Sequence, residues 1–538
     1  MVAEIGLLVK HFAGMRWNRE TQAAYMQVLR DADFYHGSGT NDPAFSARDR
    51  INRAPKSLGF VTLGNCISLT PAGEQLLSAK RMEEVLLRQL LKFQLPSPYH
   101  KPTAKAASFC VKPYLELLRL VRHLGTLKFD ELQIFGMQLT DYRLFEEVVA
   151  KIEDFRVAKC SNIGNYRVFK QSCLNRELTR IYHDRISRGE TKTRESDDAS
   201  LAKFLKTQAN NMRDYADACF RYLRATGLVA VSHVGKSLSI VPERRADVDY
   251  ILDTIPREPA YFESEKEYSR YLGDSSTPAL LTDNRANLLD RLSTEFPLVD
   301  ISSSSSVDEL KDILSDLIEN RKMQAISSQI VEIKDYRLYD DIQNIYNQII
   351  DNDLYDAPLM LEWNTWRAMT MMDGGNIHAN LNFDDYGKPL SAAAGNMADI
   401  VCDYGDFYVC VEVTMSSGQR QYEMEGEPVT RHLGKLKSQT GKPCYCLFVA
   451  PTINEACISH FYALHHINLA IYGGKSTIVP LPLNVFRKMI EDSYRVDYTP
   501  DAQQVQSFFK YSETIAKKVA DERMWYEQMT IRALHWLE

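Results

Sequence analysis

Apolar residues recur at helical spacing through most of the chain, with charges between them. Short β-rich runs bounded by turn residues break that pattern twice in the first 250 residues and repeatedly after residue 328. Residues 46–56 (SARDRINRAPK) predict a short basic helix opening at Ser46 and interrupted before Pro55. Leu58–Leu63 and Cys66–Leu69 flank a Gly64-Asn65 turn, and Thr70-Pro71 starts another helix. Helix, strand, turn, strand, helix is the order of a winged helix. The pattern returns where Met212–Leu223 ends at Thr226-Gly227 and two runs, Leu228–Val231 and Leu238–Val241, flank Gly235-Lys236. Pro113–His123 and Thr140–Phe155 read as helices between the two, and residues 185–200 as a charged, exposed loop.

The Ser302–Ser306 run breaks the chain and leads into the helical stretch VDELKDILSDLIENRKM. After residue 328, helix and strand patterns alternate. The expected architecture is a multidomain α+β chain. It comprises two winged-helix subdomains (1–105 and 106–249), a helical linker (250–327) and a C-terminal α/β domain (328–538).

Composition narrows the class. A chain of 538 residues with 45% hydrophobic and 25% charged residues is globular and too long for one core. No apolar run reaches the ~18 residues a membrane helix needs, and the N-terminus does not read as a signal peptide. The ten scattered cysteines, with no CxxC, fit free thiols in a reducing compartment, so a cytoplasmic location is expected. Cys444 and Cys446 fall in an apolar run read as a buried strand, not a zinc site. Charge is divided: residues 1–250 hold 38 Lys and Arg against 28 Asp and Glu, and the remainder 26 against 43. A basic half beside an acidic half fits a polyanion-docking module joined to one that concentrates carboxylates.

The densest chemistry lies between Asn396 and Val449. Met397–Cys402 and Phe407–Thr414 are β-rich and joined by Asp403-Tyr404-Gly405-Asp406. A turn centred between Tyr404 and Gly405 sets Asp399 opposite Cys410. Glu412 then lies on the same face, with diagonal neighbours about 7–8 Å apart. Two such carboxylates can share a hard divalent cation, whereas a one-residue slip separates them. The segment Gln419–Lys437, interrupted near Pro428, and the buried strand Pro443–Val449 follow, and the Leu361–Met372 helix carries Glu362. Helix, hairpin, helix, strand with this acid pair is the order of the PD-(D/E)xK nuclease core, which hydrolyses phosphodiesters with metal assistance. The Glu-x-Lys ending is absent, since the chain reads Glu412-Val413-Thr414. That departure keeps a second reading open, a non-catalytic DNA-binding regulator with a degenerate nuclease-like domain.

The chain resembles the AlwI-type restriction endonucleases, a family that includes site-specific nicking enzymes. The carrying residues are Glu362-Trp363-x-Thr365-Trp366, Ala393-Ala394-Gly395-Asn396-x-x-Asp399, Glu412-Val413-Thr414, Glu425-x-Glu427-Pro428-Val429-Thr430-Arg431-His432 and Cys446–Pro451. Phe45-Ser46-x-Arg48-Asp49-Arg50, Arg213-Asp214-x-Ala216-Asp217-Ala218 and Arg221-Tyr222 carry it in the basic half. The resemblance implies a type IIS-like, Mg²⁺-dependent endonuclease, with Mn²⁺ as a substitute, that cuts outside an asymmetric site and nicks when acting alone. It implies that Glu362, Asp399, Glu412, Glu425 and His432 line the active site, with Asp399, Glu412 and Glu425 toward metal. His432 would orient water, move a proton or contact phosphate. Double-stranded DNA is the expected partner. A second nuclease subunit or a transient homodimer would serve double-strand cleavage, and no membrane is involved. Arg48, Arg50, Arg53 and Lys56 in the first helix-and-hairpin, and Arg213, Arg221, Arg224 and Lys236 in the second, are the expected DNA contacts.

Overall fold

In a computed structural model the chain is mixed α/β and mostly helical, with small sheets. The structure describes residues 1–32, 34–35, 42–78, 81–99, 109–162, 164–193, 196–231, 237–299, 304–351, 354, 356–372, 375–384, 386–393, 397–496 and 498–537. Two compact units emerge, Met1–Leu317 and Ile318–Glu538. Among the described residues, no helix is long and apolar enough to cross a membrane.

In the first unit, α1 (Val2–Phe12) buries Ile5, Leu8 and Phe12, and α2 (Arg19–Asp31) is capped by Asn18. Helix α3 (Pro43–Ile51) starts earlier than expected because Asp42, not Ser46, caps it, accepting the Phe45 N–H at 3.2 Å with Pro43 in the first turn. Pro55 does not end the segment but lies within a π-helical turn, Asn52–Lys56, that continues it. The antiparallel hairpin β1 (Val61–Thr62) and β2 (Ser68–Leu69) follows. Helix α4 (Pro71–Leu77) then opens with Thr70 accepting the Gly73 N–H at 3.1 Å. A Cβ on Gly73 would stand 2.0 Å from the Phe60 carbonyl oxygen, so only glycine lets α4 approach the hairpin this closely.

After α5 (Met82–Lys92) and α6 (Pro113–Leu124), β3 (Thr126–Lys128) leads into α7 (Phe129–Ile134), α8 (Phe145–Cys160), α9 (Tyr166–Ile181) and α10 (His183–Ser187). Helix α10 thus occupies the start of the expected 185–200 loop. Helix α11 (Leu201–Arg224) precedes β4 (Val229–Val231) and β5 (Ser237–Ile240). These strands pair antiparallel, and β3 adds a third strand in the order β3-β5-β4. Gly235 and Lys236 lie outside the described residues.

Residues 250–317 belong to this unit. They include the end of α12 (Arg245–Thr254), α13 (Glu265–Gly273), α14 (Arg285–Glu295) and the start of α15 (Val307–Lys334). The expected division at 249/250 and 327/328 therefore differs from the observed one, whose boundary falls inside α15. The cause is polar and buried. Lys92 Nζ donates to the carbonyls of Leu272 (2.8 Å), Tyr271 (3.3 Å) and Asp274, and Gln94 exchanges two hydrogen bonds with Ala260. Arg257 grips the buried Glu116 with two bonds of 2.8 and 2.6 Å.

The second unit begins with the rest of α15, followed by α16 (Tyr339–Ile350) and by α17 (Ala357–Met372), which is buried along almost its whole length. A five-stranded sheet follows from β6 (Asn376–Ala379), β9 (Ile400–Asp403), β10 (Tyr408–Val413), β11 (Cys444–Ala450) and β12 (Ile478–Pro482). A small hairpin, β7 (Asn382–Phe383) and β8 (Pro389–Ser391), stands apart. The order is β12-β11-β10-β9-β6, parallel across β10–β12 and antiparallel across β10, β9 and β6. Parallel neighbours need crossovers, supplied by α18 (Gln419–Thr440) and α19 (Glu455–Leu464). Every residue of β11 is buried, as expected of a strand covered on both faces. Helices α20 (Leu483–Val496), α21 (Ala502–Ala516) and α22 (Glu522–Leu534) complete the unit. All ten cysteines are free.

Candidate active site

The β9–β10 hairpin fixes the site. Val411 pairs with Ile400 and Tyr408 with Asp403, so the turn is Tyr404 to Phe407, with Gly405 at φ +81°. The expected register, Asp399 opposite Cys410, is off by two residues, because Cys410 pairs with Val401. A shift of two preserves the face, since strand side chains alternate with period two. Continued one step past Val411–Ile400, the observed register brings Asp399 level with Glu412. Asp399 Oδ2 accepts the Val413 N–H at 2.8 Å, which ties the residue before β9 to the far end of β10.

Three more expected residues come to the same place. Glu362, on α17, accepts the Ala393 N–H at 2.9 Å. Glu425 and His432 lie on α18, which runs unbroken through Pro428; the expected interruption is absent, so seven residues place both on one helix face. His432 Nδ1 is 2.9 Å from Glu412 Oε1. Thr414, two residues beyond Glu412 and just past the end of β10, lies close enough to Glu425 to oppose the rise of its carboxyl. Sequence reasoning passed over Thr414, although the alternation that placed Glu412 also points to it.

Electrostatics binds these groups together. Burial, then the charge of Asp399, lifts the Glu362 carboxyl to about 8. Burial and the neighbouring Glu412 push Asp399 well above the usual carboxylate range. Glu412 rises likewise, from burial and from Glu425 and Glu362. Burial raises Glu425 against the opposing pull of Thr414 and His432. His432 goes the other way, to about 4, through burial and the charges of Arg431 and Lys435. At neutral pH its imidazole is uncharged. The structure thus gathers four acids whose carboxyls are all raised. They are hard oxygen donors, the chemistry a divalent cation of the magnesium type takes. Among the described residues, no three His, Cys, Asp or Glu side chains form a ready-made metal cluster.

The expected DNA contacts are distributed unevenly. Arg48 and Arg213 are exposed. Asp49 pairs with Arg53 at 3.0 Å, leaving Arg48 stacked over Phe45, and Lys56 sits over the Tyr99 ring at 4.3 Å. Arg50 is engaged by Glu4 and lies over Tyr35. Arg221 pairs with Asp217 at 2.7 Å on α11. Arg224 is buried, at 5% exposure, because it falls on the core side of the α11 C-terminus; its guanidinium is not presented to a ligand. Lys236 lies outside the described residues.

Fold and site define a mixed α/β protein with an acidic cluster where β9 and β10 meet α17 and α18. The AlwI restriction endonuclease family model matches residues 56–489, and the chain belongs to that family. It is a DNA-binding endonuclease. Among solved structures it is similar to the small subunit, R.BspD6I2, of the heterodimeric restriction endonuclease R.BspD6I. That match has 22% identity over 37% of this chain and 95% of the other, with a TM-score of 0.29. It is also similar to the BpuJ1 endonuclease binding domain, solved with pyrene- and phenanthrene-modified DNA, at 13% identity over 51% and 91% of the chains, with a TM-score of 0.30. No curated protein matches the sequence.

Proposed function

We propose that the protein is a site-specific, Mg²⁺-dependent endonuclease of type IIS character, whose PD-(D/E)xK-like second unit hydrolyses one strand per engagement. The observation that carries this is the level placement of Asp399 and Glu412, with Glu362, Glu425 and His432 around them. Asp399 and Glu412 would hold the cation, with Glu425 as the third donor. A bound Mg²⁺ or Mn²⁺ lowers the pKa of water and shields charge developing on the phosphate. The chain's own groups do the rest. His432, neutral and anchored through Nδ1 to Glu412, keeps Nε2 available to accept or relay a proton. The basic first unit, with its two helix-and-hairpin segments read as winged helices, holds an asymmetric DNA site, and cleavage falls outside it. Cutting both strands requires a second nuclease subunit or a transient homodimer.

The missing lysine after Glu412 favours one rival, a DNA-binding regulator with a degenerate site. Supercoiled plasmid incubated with Mg²⁺ separates the two. Nicked product that disappears in EDTA and in Asp399→Ala supports the nuclease, and site-specific binding without cleavage supports the regulator.

A further inference from the structure

The outer face of α9 carries a pattern that neither the carboxylate site nor the helix-and-hairpin segments use. Asn175, Arg176, Thr179 and Arg180 are exposed on it, and His183 extends the stripe into α10. The acid within the helix, Glu177, is buried on the opposite side. Residues 175, 176, 179, 180 and 183 line an open concavity of about 650 Å³.

The arginines are held in place from below. Glu177 lies 3.1 Å from Arg180 and 3.9 Å from Arg176, and Arg180 also donates to Gln138 Oε1 at 2.6 Å. Gln138 in turn donates to Glu177 at 3.1 Å and accepts from Lys151 of α8 at 3.2 Å. One buried carboxylate thus anchors two guanidiniums that remain 70% and 51% exposed. A planar guanidinium restrained on one edge presents its other N–H groups at reduced entropic cost, and its fork matches phosphate. The amides and hydroxyls interleaved between the arginines are the donors that proteins turn toward phosphate and sugar oxygens.

We infer that the α9 face, with Arg176 and Arg180, is a second contact surface for double-stranded DNA that grips the sugar-phosphate backbone without reading sequence. The inference rests on the protein binding DNA as a member of its family. Backbone phosphate contacts release counterions, so each contributes about 0.9 to the slope of log affinity against log salt.

The test measures binding of the full-length protein to duplexes with and without its site, across a salt series. Arg176→Gln leaves Arg180 to neutralise Glu177 and should lower the slope by about 1. Affinity should fall roughly tenfold at low salt, with the ratio of specific to non-specific binding unchanged. Ser172→Arg/Asn175→Arg adds charge to the same face without touching the anchor and should steepen the slope. It decides the matter if the first variant proves unstable. An unchanged slope in the folded variants overturns the inference, as does equal competition by single-stranded RNA. Failure of the unaltered protein to bind any duplex would instead count against the proposed function.

Discussion

His432 and Glu412 stand 20 positions apart in sequence, yet their side chains meet at 2.9 Å, Nδ1 to Oε1, joining the middle of α18 to the end of β10. With burial and two neighbouring cations holding the imidazole at about 4, it is neutral at working pH. His432→Asn should therefore leave DNA binding intact and slow cleavage by roughly 10²- to 10⁴-fold, the usual range for a proton-transfer group. Single-turnover nicking on a site-bearing plasmid measures it, and an unchanged rate removes the proton role.

The acid cluster is costly without a cation. Glu362 sits at about 8 against an unfolded value near 4.5, so its protonated form is favoured in the fold. The sign follows. The fold bears no penalty from this group below pH 4.5, a growing one between 4.5 and 8, and a constant one above. Glu362→Gln should raise the melting temperature of metal-free protein little at pH 4.5 and by several degrees at pH 8, corresponding to roughly 1–3 kcal/mol. Equal shifts at both pH values would show that the carboxyl is not under this stress.

A cation that relieves the repulsion should stabilise the protein by binding the folded state alone. Mg²⁺, Mn²⁺ and the non-catalytic probe Ca²⁺ should each raise the melting temperature of the unaltered chain. Asp399→Asn should abolish most of that increment and melt higher than the unaltered chain in EDTA. Glu412→Gln should behave alike, keep site binding and lose cleavage. Identical metal responses in all three proteins would break the assignment of donors.

In the first unit the electrostatics has the opposite sense. Burial pushes Asp283 up, but hydrogen bonds from Arg88, the Leu280 N–H and Lys311 outweigh it and hold the carboxyl at about 2. Its stabilising contribution is complete above pH 3.8 and is lost as pH falls toward 2. Asp283→Asn leaves Arg88 and Lys311, both buried, sharing only Glu84, and should cost about 2 kcal/mol at pH 7. The difference should shrink toward pH 2, read by urea unfolding.

A fragment ending near residue 250 should expose Lys92, Arg88 and Gln94 without their carbonyl and carboxylate partners from 260–283, and aggregate or unfold. A fragment ending at 317 retains those partners. It should give a cooperative melt and bind DNA without cutting it.

How much of this was legible beforehand depends on the range of the interaction. Asp399 and Glu412 could be brought together from period-two alternation alone, and the error of two in register was harmless because it preserved parity. Thr70 and Pro71 announced α4 through local capping chemistry. Ser46 reads as the cap of α3, and only the packed helix shows that Asp42 takes that place. Pro428 reads as a break because a proline inside a helix is costly, by about 3 kcal/mol, yet tertiary packing overrides that preference. The fate of Arg224 and Arg50 was illegible for another reason: burial against the core and capture by Glu4, 46 residues away, are long-range facts with no local signature. The same holds for the attachment of 250–317, which depends on side chains of α5 meeting backbone carbonyls some 180 residues on.

Glu425 and His432 share one rigid rod, and the only covalent tether between that rod and β10 is the short stretch Thr414–Gly418. Deleting a single residue within the first turn of α18 would instead turn the rest of the rod by about 100° against that turn, swinging both side chains out of register in concert while the aspartate–glutamate pair on the sheet stayed put. Ligand geometry and proton handling are in this way two separately adjustable parts, hinged at five residues.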